Sequence, residues 1–103
     1  MKSATEQTEL VLTEIGHERF HQRSIGYTHG NDDKYGDFEL AYSGAAYAMA
    51  VINPDLVKPL WPFPHVMGPE TYELTRRESL IKAAALIVAQ IEALDRAEKI
   101  KDA

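Results

Sequence analysis

The most constraining feature of this sequence is one long apolar segment in its C-terminal part. Between residues 76 and 98, aliphatic residues recur every three or four positions in two adjacent stripes: Leu80, Ala84, Ile87, Ile91 and Leu94, and beside them Ile81, Ala85 and Val88. This spacing predicts an α-helix of about two dozen residues, roughly 36 Å long. Every residue from Ala83 to Ala89 is apolar. We therefore expect other elements to cover this helix on several sides.

The remaining sequence predicts two further helices and no strand. The three helices are expected over residues 5–24, 37–52 and 70–99 of one domain that spans residues 1–103. Asp37 is the predicted N-cap of the second helix, Pro54 ends that helix, and Pro69 or Thr71 begins the third. The second helix consists largely of small residues around Gly44, which lets another helix approach closely. The predicted fold is all-α, with the long C-terminal helix at its centre.

The connection over residues 53–69 contains five prolines and the only tryptophan, Trp61. It is too apolar for a disordered linker, and long loops in compact domains are often functional. Because proline reduces the entropy of the unfolded loop, we expect a fixed, extended path across the helices. The simplest expectation for Trp61 is that it plugs the core from outside. The alternatives are an aromatic wall of a ligand pocket or an oligomer contact.

One face of the first helix changes from apolar to polar along its length. Val11 and Ile15 begin this face, and Arg19 and Gln22 continue it as polar groups. In one interpretation the helix end emerges into solvent, with the arginine stems lying along apolar neighbours. In the other, a polar face is turned into a pocket. The first interpretation is the simpler expectation.

Residues 26–36 form a predicted loop, because three glycines alternate there with turn-forming residues. The loop is rich in side chains that can bind a ligand or take part in a reaction: Tyr27, His29, Asp32, Asp33 and Tyr35. An Asn-Asp-Asp run is typical of a turn, in which the side chains bond their own backbone. It is also a source of oxygen ligands for a divalent cation, but the alternating spacing of a calcium loop is missing. The turn is the preferred interpretation.

Composition excludes several classes of function. The chain has 103 residues, 45% of them hydrophobic, a net charge of −5 and no cysteine. The acidic balance argues against a nucleic-acid-binding surface, and the lack of cysteine excludes disulfides and zinc–thiolate sites. There is no secretory signal, no run of ~18 apolar residues, and no phosphate-binding or hydrolase motif. His17 and His21 have a metal-binding spacing but no third ligand. We expect a soluble, cytoplasmic protein without a cofactor.

Two stretches together resemble a group of small, mostly uncharacterised bacteriophage proteins. The first is the order Glu18-Arg19-Phe20-His21-Gln22, Gly26-Tyr27-Thr28, Asp32-Asp33 and an Ala-rich helix from Glu39-Leu40-Ala41. The second is the segment Leu80 to Arg96, LIKAAALIVAQIEALDR, preceded by Trp61-Pro62-Phe63. The resemblance implies an accessory protein that acts in the host bacterial cytoplasm and defends the phage against bacterial immunity.

More distantly, the layout resembles the all-α MazG-like nucleotide pyrophosphohydrolases. Those enzymes bind Mg²⁺ through an ExxE motif on one helix and an ExxD motif on another. At the matching positions this chain has Ser43 and Ala46, and then Ser79 and Lys82. These residues cannot hold the cation that neutralises the charge developing on a phosphate. The resemblance therefore implies a nucleotide-like ligand that is bound and not cleaved, with no catalytic or metal-binding residue.

The candidate ligand-binding residues follow from that resemblance: Arg19, Arg23, Tyr27, Asp32, Asp33, Trp61, Phe63 and Lys82. It implies that the two arginines and Lys82 hold phosphates, while Tyr27, Trp61 or Phe63 stacks on a base. The ordinary alternative is that the cations form surface ion pairs, which contribute roughly 0–1 kcal/mol each.

Two classes of function stay open from the sequence. The first is a non-enzymatic protein that sequesters a nucleotide-derived ligand. The second is a protein-interaction module that inhibits a host protein through an acidic surface. A working pyrophosphohydrolase is third. Because small helical chains often complete their core with a second subunit, a homo-oligomer is also expected.

Overall fold

The computed structural model describes residues 2–25, 30, 33–34, 36–63, 68–69 and 73–102, with residues 100–102 described by their backbone alone. Four α-helices lie in these ranges: α1 (Ala4–Ser24), α2 (Glu39–Ile52), α3 (Val57–Leu60) and α4 (Arg76–Asp102). The described residues contain no β-strand. The all-α prediction is confirmed, and the long C-terminal helix α4 packs against both α1 and α2.

Helix α4 begins later than predicted, at Arg76. The reason is a reciprocal cap: the Thr75 hydroxyl accepts a hydrogen bond from the Glu78 backbone N–H at 3.1 Å, and the Glu78 carboxylate accepts one from the Thr75 N–H at 2.9 Å. Together these bonds satisfy two donors that a helix start otherwise leaves unpaired. The predicted start at Pro69 or Thr71 is therefore wrong.

Helix α2 is capped from another helix and not by Asp37. Its N-cap is Phe38, in the left-handed region with a φ of 63°, and this residue makes no side-chain cap. The Ala41 backbone N–H donates instead to the side-chain oxygen of Gln90, a residue of α4, at 3.2 Å. The prediction of Asp37 as the N-cap is wrong, because a partner 49 positions away in sequence satisfies a first-turn donor.

Helices α2 and α4 run antiparallel and approach closely at Gly44. A Cβ atom on Gly44 would lie 3.0 Å from both the Ala83 carbonyl oxygen and Ile87 Cγ1. Nearby, the buried side chains of Leu40, Leu86 and Ala89 form a core against which Tyr47 packs. The close approach predicted from the small residues of α2 is thus present in the structure.

Helix α1 is joined to another side of α4 by ion pairs. Glu14 pairs with Arg77 at 2.6 Å, and Glu18 pairs with Lys82 at 2.8 Å. Arg19 pairs with Glu92 further along α4. The paired positions rise together along both helices, so α1 and α4 run in the same direction.

One face of α4 remains open to solvent. Leu80, Ile87, Ile91 and Leu94, here called the α4 stripe, are between 42% and 53% exposed. The buried side chains are mostly small ones on other faces: Ala83, Ala85, Leu86 and Ala89. The expectation that other elements cover α4 on several sides is confirmed for two of them, but the stripe itself is about half exposed. Helices α1 and α2 cover these two sides.

The connection after α2 turns instead of running extended. The Asn53 side chain accepts a hydrogen bond from the Asp55 N–H at 3.2 Å and starts a 3₁₀ turn over Pro54–Leu56, which continues into α3. The predicted extended path is wrong for these residues, because Asn53 and Pro54 together favour a helical start. None of the helices in the described ranges is long and apolar enough to cross a lipid bilayer.

Candidate functional site

The most unusual side chains in the fold are polar ones buried in α1. Arg19 is 3% exposed and Gln22 is 4% exposed, whereas Leu12 on the same helix lies in solvent. The interpretation in which this end of α1 emerges into solvent is therefore wrong. A long-range partner on α4 draws the polar face inward, because the Glu92 carboxylate compensates the charge of Arg19.

The partner, Glu92, connects two arginines of α1. Arg19 Nε donates to Glu92 Oε1 at 2.9 Å, and Arg23 Nη2 donates to Glu92 Oε2 at 3.1 Å. Hydrogen bonds between ionised groups are about twice as strong as neutral ones. We call Arg19, Gln22, Arg23 and Glu92 the arginine cluster. In this cluster two guanidinium groups share the carboxylate of Glu92.

The arginine cluster contains two buried polar atoms with unmet hydrogen-bonding capacity. Within the part of the chain that the structure describes, Gln22 Oε1 and Arg23 Nε have no hydrogen-bond partner. Such an atom destabilises a folded protein by about 1–3 kcal/mol, so an unpartnered pair in one cluster requires an explanation. One atom is an acceptor and the other a donor. A ligand that carries both functions can satisfy them together.

An aromatic ring adjoins the arginine cluster on its solvent side. The guanidinium carbon of Arg23 lies 5.4 Å from the centroid of the Phe20 ring, within the range of a cation–π contact. The Phe20 side chain is exposed. The Arg23 guanidinium therefore lies over one face of an exposed aromatic ring.

Lys82 is held apart from the two arginines. Its ammonium group lies 2.8 Å from Glu18 Oε1, and both side chains are mostly buried. Along α4, Lys82 precedes Glu92 by ten positions, about 15 Å of helix. Lys82 and the two arginines thus all lie between α1 and α4, but Lys82 pairs with Glu18 whereas the arginines pair with Glu92.

The loop residues are only partly within the described ranges. Asp33 forms an ion pair with Arg96. Arg96 Nε and Nη2 donate to Asp33 Oδ1 at 3.0 Å and 2.8 Å. Arg96 lies one helical turn after Glu92, so this pair extends the polar side of α4 beyond the arginine cluster. Tyr27 and Asp32, which the sequence also predicts as ligand-binding residues, lie outside the described residues.

Trp61 and Phe63 belong to an aromatic group on α2. The Trp61 ring lies edge-on to Tyr47 at 6.0 Å and to Phe63 at 5.6 Å between centroids. Tyr47 packs on the core of Leu40, Leu86 and Ala89, so Trp61 is linked to this core through Tyr47.

The positions that match the metal-binding motifs of the MazG-like enzymes are buried between helices. Ser43 and Ala46 are fully buried, and Ser79 is nearly so. The Ser43 hydroxyl donates to the Glu39 carbonyl oxygen of its own helix at 2.8 Å. Among the described residues, no three His, Asp or Glu side chains lie close enough to hold a metal ion.

Sequence reasoning did not identify Gln22, Glu92 or Phe20 as site residues. Gln22 carries a signal, because it follows Arg19 by three positions and continues the same polar face. Glu92 also carries one, because it is the first charged residue after the apolar run from Ala83 to Ala89. Phe20 shows no such signal.

Comparisons with protein-family models, with curated proteins and with solved structures found no match for this chain.

Proposed function

We propose that this protein binds a small, phosphate-bearing, nucleotide-like ligand at the arginine cluster and does not cleave it. The observation that carries the proposal is a pair of buried polar atoms, Gln22 Oε1 and Arg23 Nε, which have no hydrogen-bond partner within the described residues and lie in a cluster with two guanidinium groups. Folded proteins retain such unsatisfied groups chiefly where function requires them.

The chemistry of the arginine cluster favours an anion with a planar group. Guanidinium groups match phosphate oxygens with two parallel hydrogen bonds, and they remain charged at any pH at which the protein folds. Gln22 Oε1 is an acceptor and suits an N–H or O–H group of a base or sugar. The exposed ring of Phe20, beside Arg23, offers a face on which a base can stack.

Retention of the ligand without cleavage is supported by the residues at the enzyme-like positions. Ser43, Ala46, Ser79 and Lys82 supply no carboxylate there. Metal-assisted cleavage of a diphosphate needs carboxylates to hold the cation. In the setting that the resemblance to bacteriophage proteins implies, the bound molecule is a nucleotide-derived signal of the host, and binding removes it from solution.

The test is thermal unfolding of the purified protein with a panel of mononucleotides, dinucleotides and cyclic dinucleotides, with and without Mg²⁺. A ligand at 100 times its Kd adds about 2.7 kcal/mol to the free energy of unfolding. For a domain of this size, that raises Tm by several degrees. We expect such a shift without Mg²⁺, and we expect chromatography to recover the ligand intact.

A matched pair of variants separates the cluster from general electrostatics. Arg23→Ala removes an arginine of the cluster, whereas Arg77→Ala removes an exposed arginine that pairs with Glu14 on the same pair of helices. The ligand-induced shift should disappear in Arg23→Ala and persist in Arg77→Ala. An unchanged Tm across the whole panel would refute the proposal and leave the protein-interaction hypothesis. Cleaved ligand would favour the pyrophosphohydrolase.

A further inference from the structure

Together with Ala84, the α4 stripe has the spacing of a helix-packing seam. Leu80, Ala84, Ile87, Ile91 and Leu94 are separated by four, three, four and three positions, as in a heptad repeat. Four of these side chains are large and about half exposed, and Ala84 is partly buried. Monomeric proteins seldom expose a contiguous row of large aliphatic groups, so this row marks an interaction surface.

Most contacts of α1 and α2 with α4 lie on other faces. Helix α1 reaches α4 through Lys82 and Glu92, and α2 reaches it at Ala83 and Leu86. Of the stripe, Ile87 lies nearest to α2, because its Cγ1 is 3.0 Å from the position of a Cβ on Gly44. A seam with heptad spacing is filled best by another helix with the same spacing.

We infer that the α4 stripe packs against the same stripe of a second copy of this chain, with the two α4 helices antiparallel. The charges at the two ends of the stripe favour a second copy in the antiparallel direction. Arg76 lies four positions before Leu80, and Glu98 lies four positions after Leu94, so both continue the same helical face. Both are exposed. The surface is thus positive at one end, apolar in the middle and negative at the other end.

Such a surface is complementary to itself about a two-fold axis near Ile87. Arg76 and Glu98 each lie eleven positions from Ile87 (76 to 87, and 87 to 98), about 16 Å along the helix. The axis therefore sets Arg76 against Glu98 of the partner subunit and the Leu80 end against the Leu94 end. Interfaces of this isologous kind are the commonest in homo-oligomers. A parallel copy would instead place like charges together at both ends.

The inferred interface is separate from the proposed ligand site. The arginine cluster lies between α1 and α4, whereas the stripe lies on another face of α4 and touches α2 at Ile87. The dimer therefore leaves both clusters accessible. Its formation can be tested independently of ligand binding.

The first test is the mass in solution by analytical ultracentrifugation. We expect a dimer of twice 11.6 kDa, or 23.2 kDa, that becomes a folded monomer in Ile91→Asp, with helix content checked by circular dichroism. Leu12→Asp is the matched control, since it places the same charge on an exposed leucine of α1, and it should remain dimeric. A wild-type protein that is monomeric at all concentrations would overturn the inference. So would a folded Ile91→Asp dimer.

The second test fixes the direction of packing with single cysteines, which the chain otherwise lacks. Ile87→Cys lies at the axis and should form a disulfide-linked dimer under mild oxidation. Leu80→Cys alone should not, because seven positions on each side of the axis separate its two copies by about 21 Å, and a disulfide needs Cα atoms within about 7 Å. A mixture of Leu80→Cys with Leu94→Cys should cross-link. Equal cross-linking by Leu80→Cys alone and by Ile87→Cys would show a parallel pair and overturn the inferred direction.

Discussion

Arg19 Nε donates a hydrogen bond of 2.9 Å to Glu92 Oε1, and so joins the first helix to the last across 73 positions of sequence. The Arg19 side chain is 4% exposed, whereas that of Glu92 is 31% exposed. A buried cation thus faces a partly hydrated carboxylate. The stability of the α1–α4 contact depends on this pair more than on the exposed pairs along the same two helices.

Removal of Glu92 should strongly destabilise the fold. Glu92→Ala leaves the buried guanidinium of Arg19 without this carboxylate, and breaking a buried pair costs about 3–5 kcal/mol. Because Glu92 is partly hydrated, we expect a loss near the lower end, about 3 kcal/mol. Glu14→Ala breaks the exposed pair with Arg77 and should reduce the free energy of unfolding much less, because solvent screens an exposed pair. Urea denaturation measures both changes. Equal decreases in the free energy of unfolding of the two variants would contradict a larger contribution from the Arg19–Glu92 pair.

Substitution of glycine by alanine should destabilise the protein at one position of the fold and stabilise it at another. Gly44→Ala places a methyl group 3.0 Å from the Ala83 carbonyl oxygen and should destabilise the protein by about 1–2 kcal/mol, since overpacking outweighs the gain in helix propensity. At Gly16, in the interior of α1, an added Cβ meets no described atom within 4 Å. Gly16→Ala should therefore raise the free energy of unfolding by up to about 1 kcal/mol.

Thermal unfolding measures both glycine variants. A stabilised Gly44→Ala protein would show that α2 and α4 can separate at this point without loss of packing.

The cap of α4 should make stability depend on acid pH. Hydrogen bonds from the Thr75 backbone N–H, and then from its side chain, favour the ionised form of Glu78 and lower the pKa of its carboxyl group. A carboxyl group whose pKa is lower in the folded protein stabilises the fold above its ordinary pKa, and this contribution disappears as the pH falls through the lowered value. Thr75→Ala removes the hydroxyl of this cap and should cost about 1 kcal/mol at neutral pH.

Glu78→Gln isolates the pH effect. Its Tm should fall less steeply than that of the wild-type protein as the pH decreases below about 4, because no carboxylate is protonated at the cap. The pKa of Glu14 is also lowered, chiefly by its hydrogen bond with Arg77, and this effect is common to both proteins. The difference between the two Tm curves therefore reports on Glu78. Two parallel curves would contradict the assigned cause.

The sequence predicts most of the fold because the fold depends largely on local periodicity. The spacing along α4 identifies the longest helix, and the small residues around Gly44 predict the close contact with α2. The start of α4 lies later than Pro69 or Thr71 predicts, because the reciprocal hydrogen bonds of Thr75 and Glu78 set it. The burial of Arg19 is misjudged because its cause, Glu92, lies 73 positions away, and no local pattern encodes that distance.

The candidate site is predictable only in part for the same reason. Arg19 and Arg23 are one helical turn apart, so their proximity follows from sequence, and the structure adds the carboxylate that they share. Lys82 engages Glu18 instead, a pairing that depends on the register of α1 against α4. The unpartnered atoms of Gln22 and Arg23 are visible only after the two helices are packed.

The most direct test of the central claim is the stability and ligand response of Gln22→Met. This substitution replaces a buried amide, whose oxygen has no hydrogen-bond partner within the described residues, with an apolar side chain of similar shape. If Gln22 Oε1 serves a ligand, the variant without ligand should be more stable than the wild-type protein by about 1–3 kcal/mol, because an unsatisfied polar atom is removed. It should also lose the Tm shift that the nucleotide panel produces in the wild-type protein. A less stable variant that retains the full shift would show that Gln22 serves the fold and not a ligand, and would contradict the account.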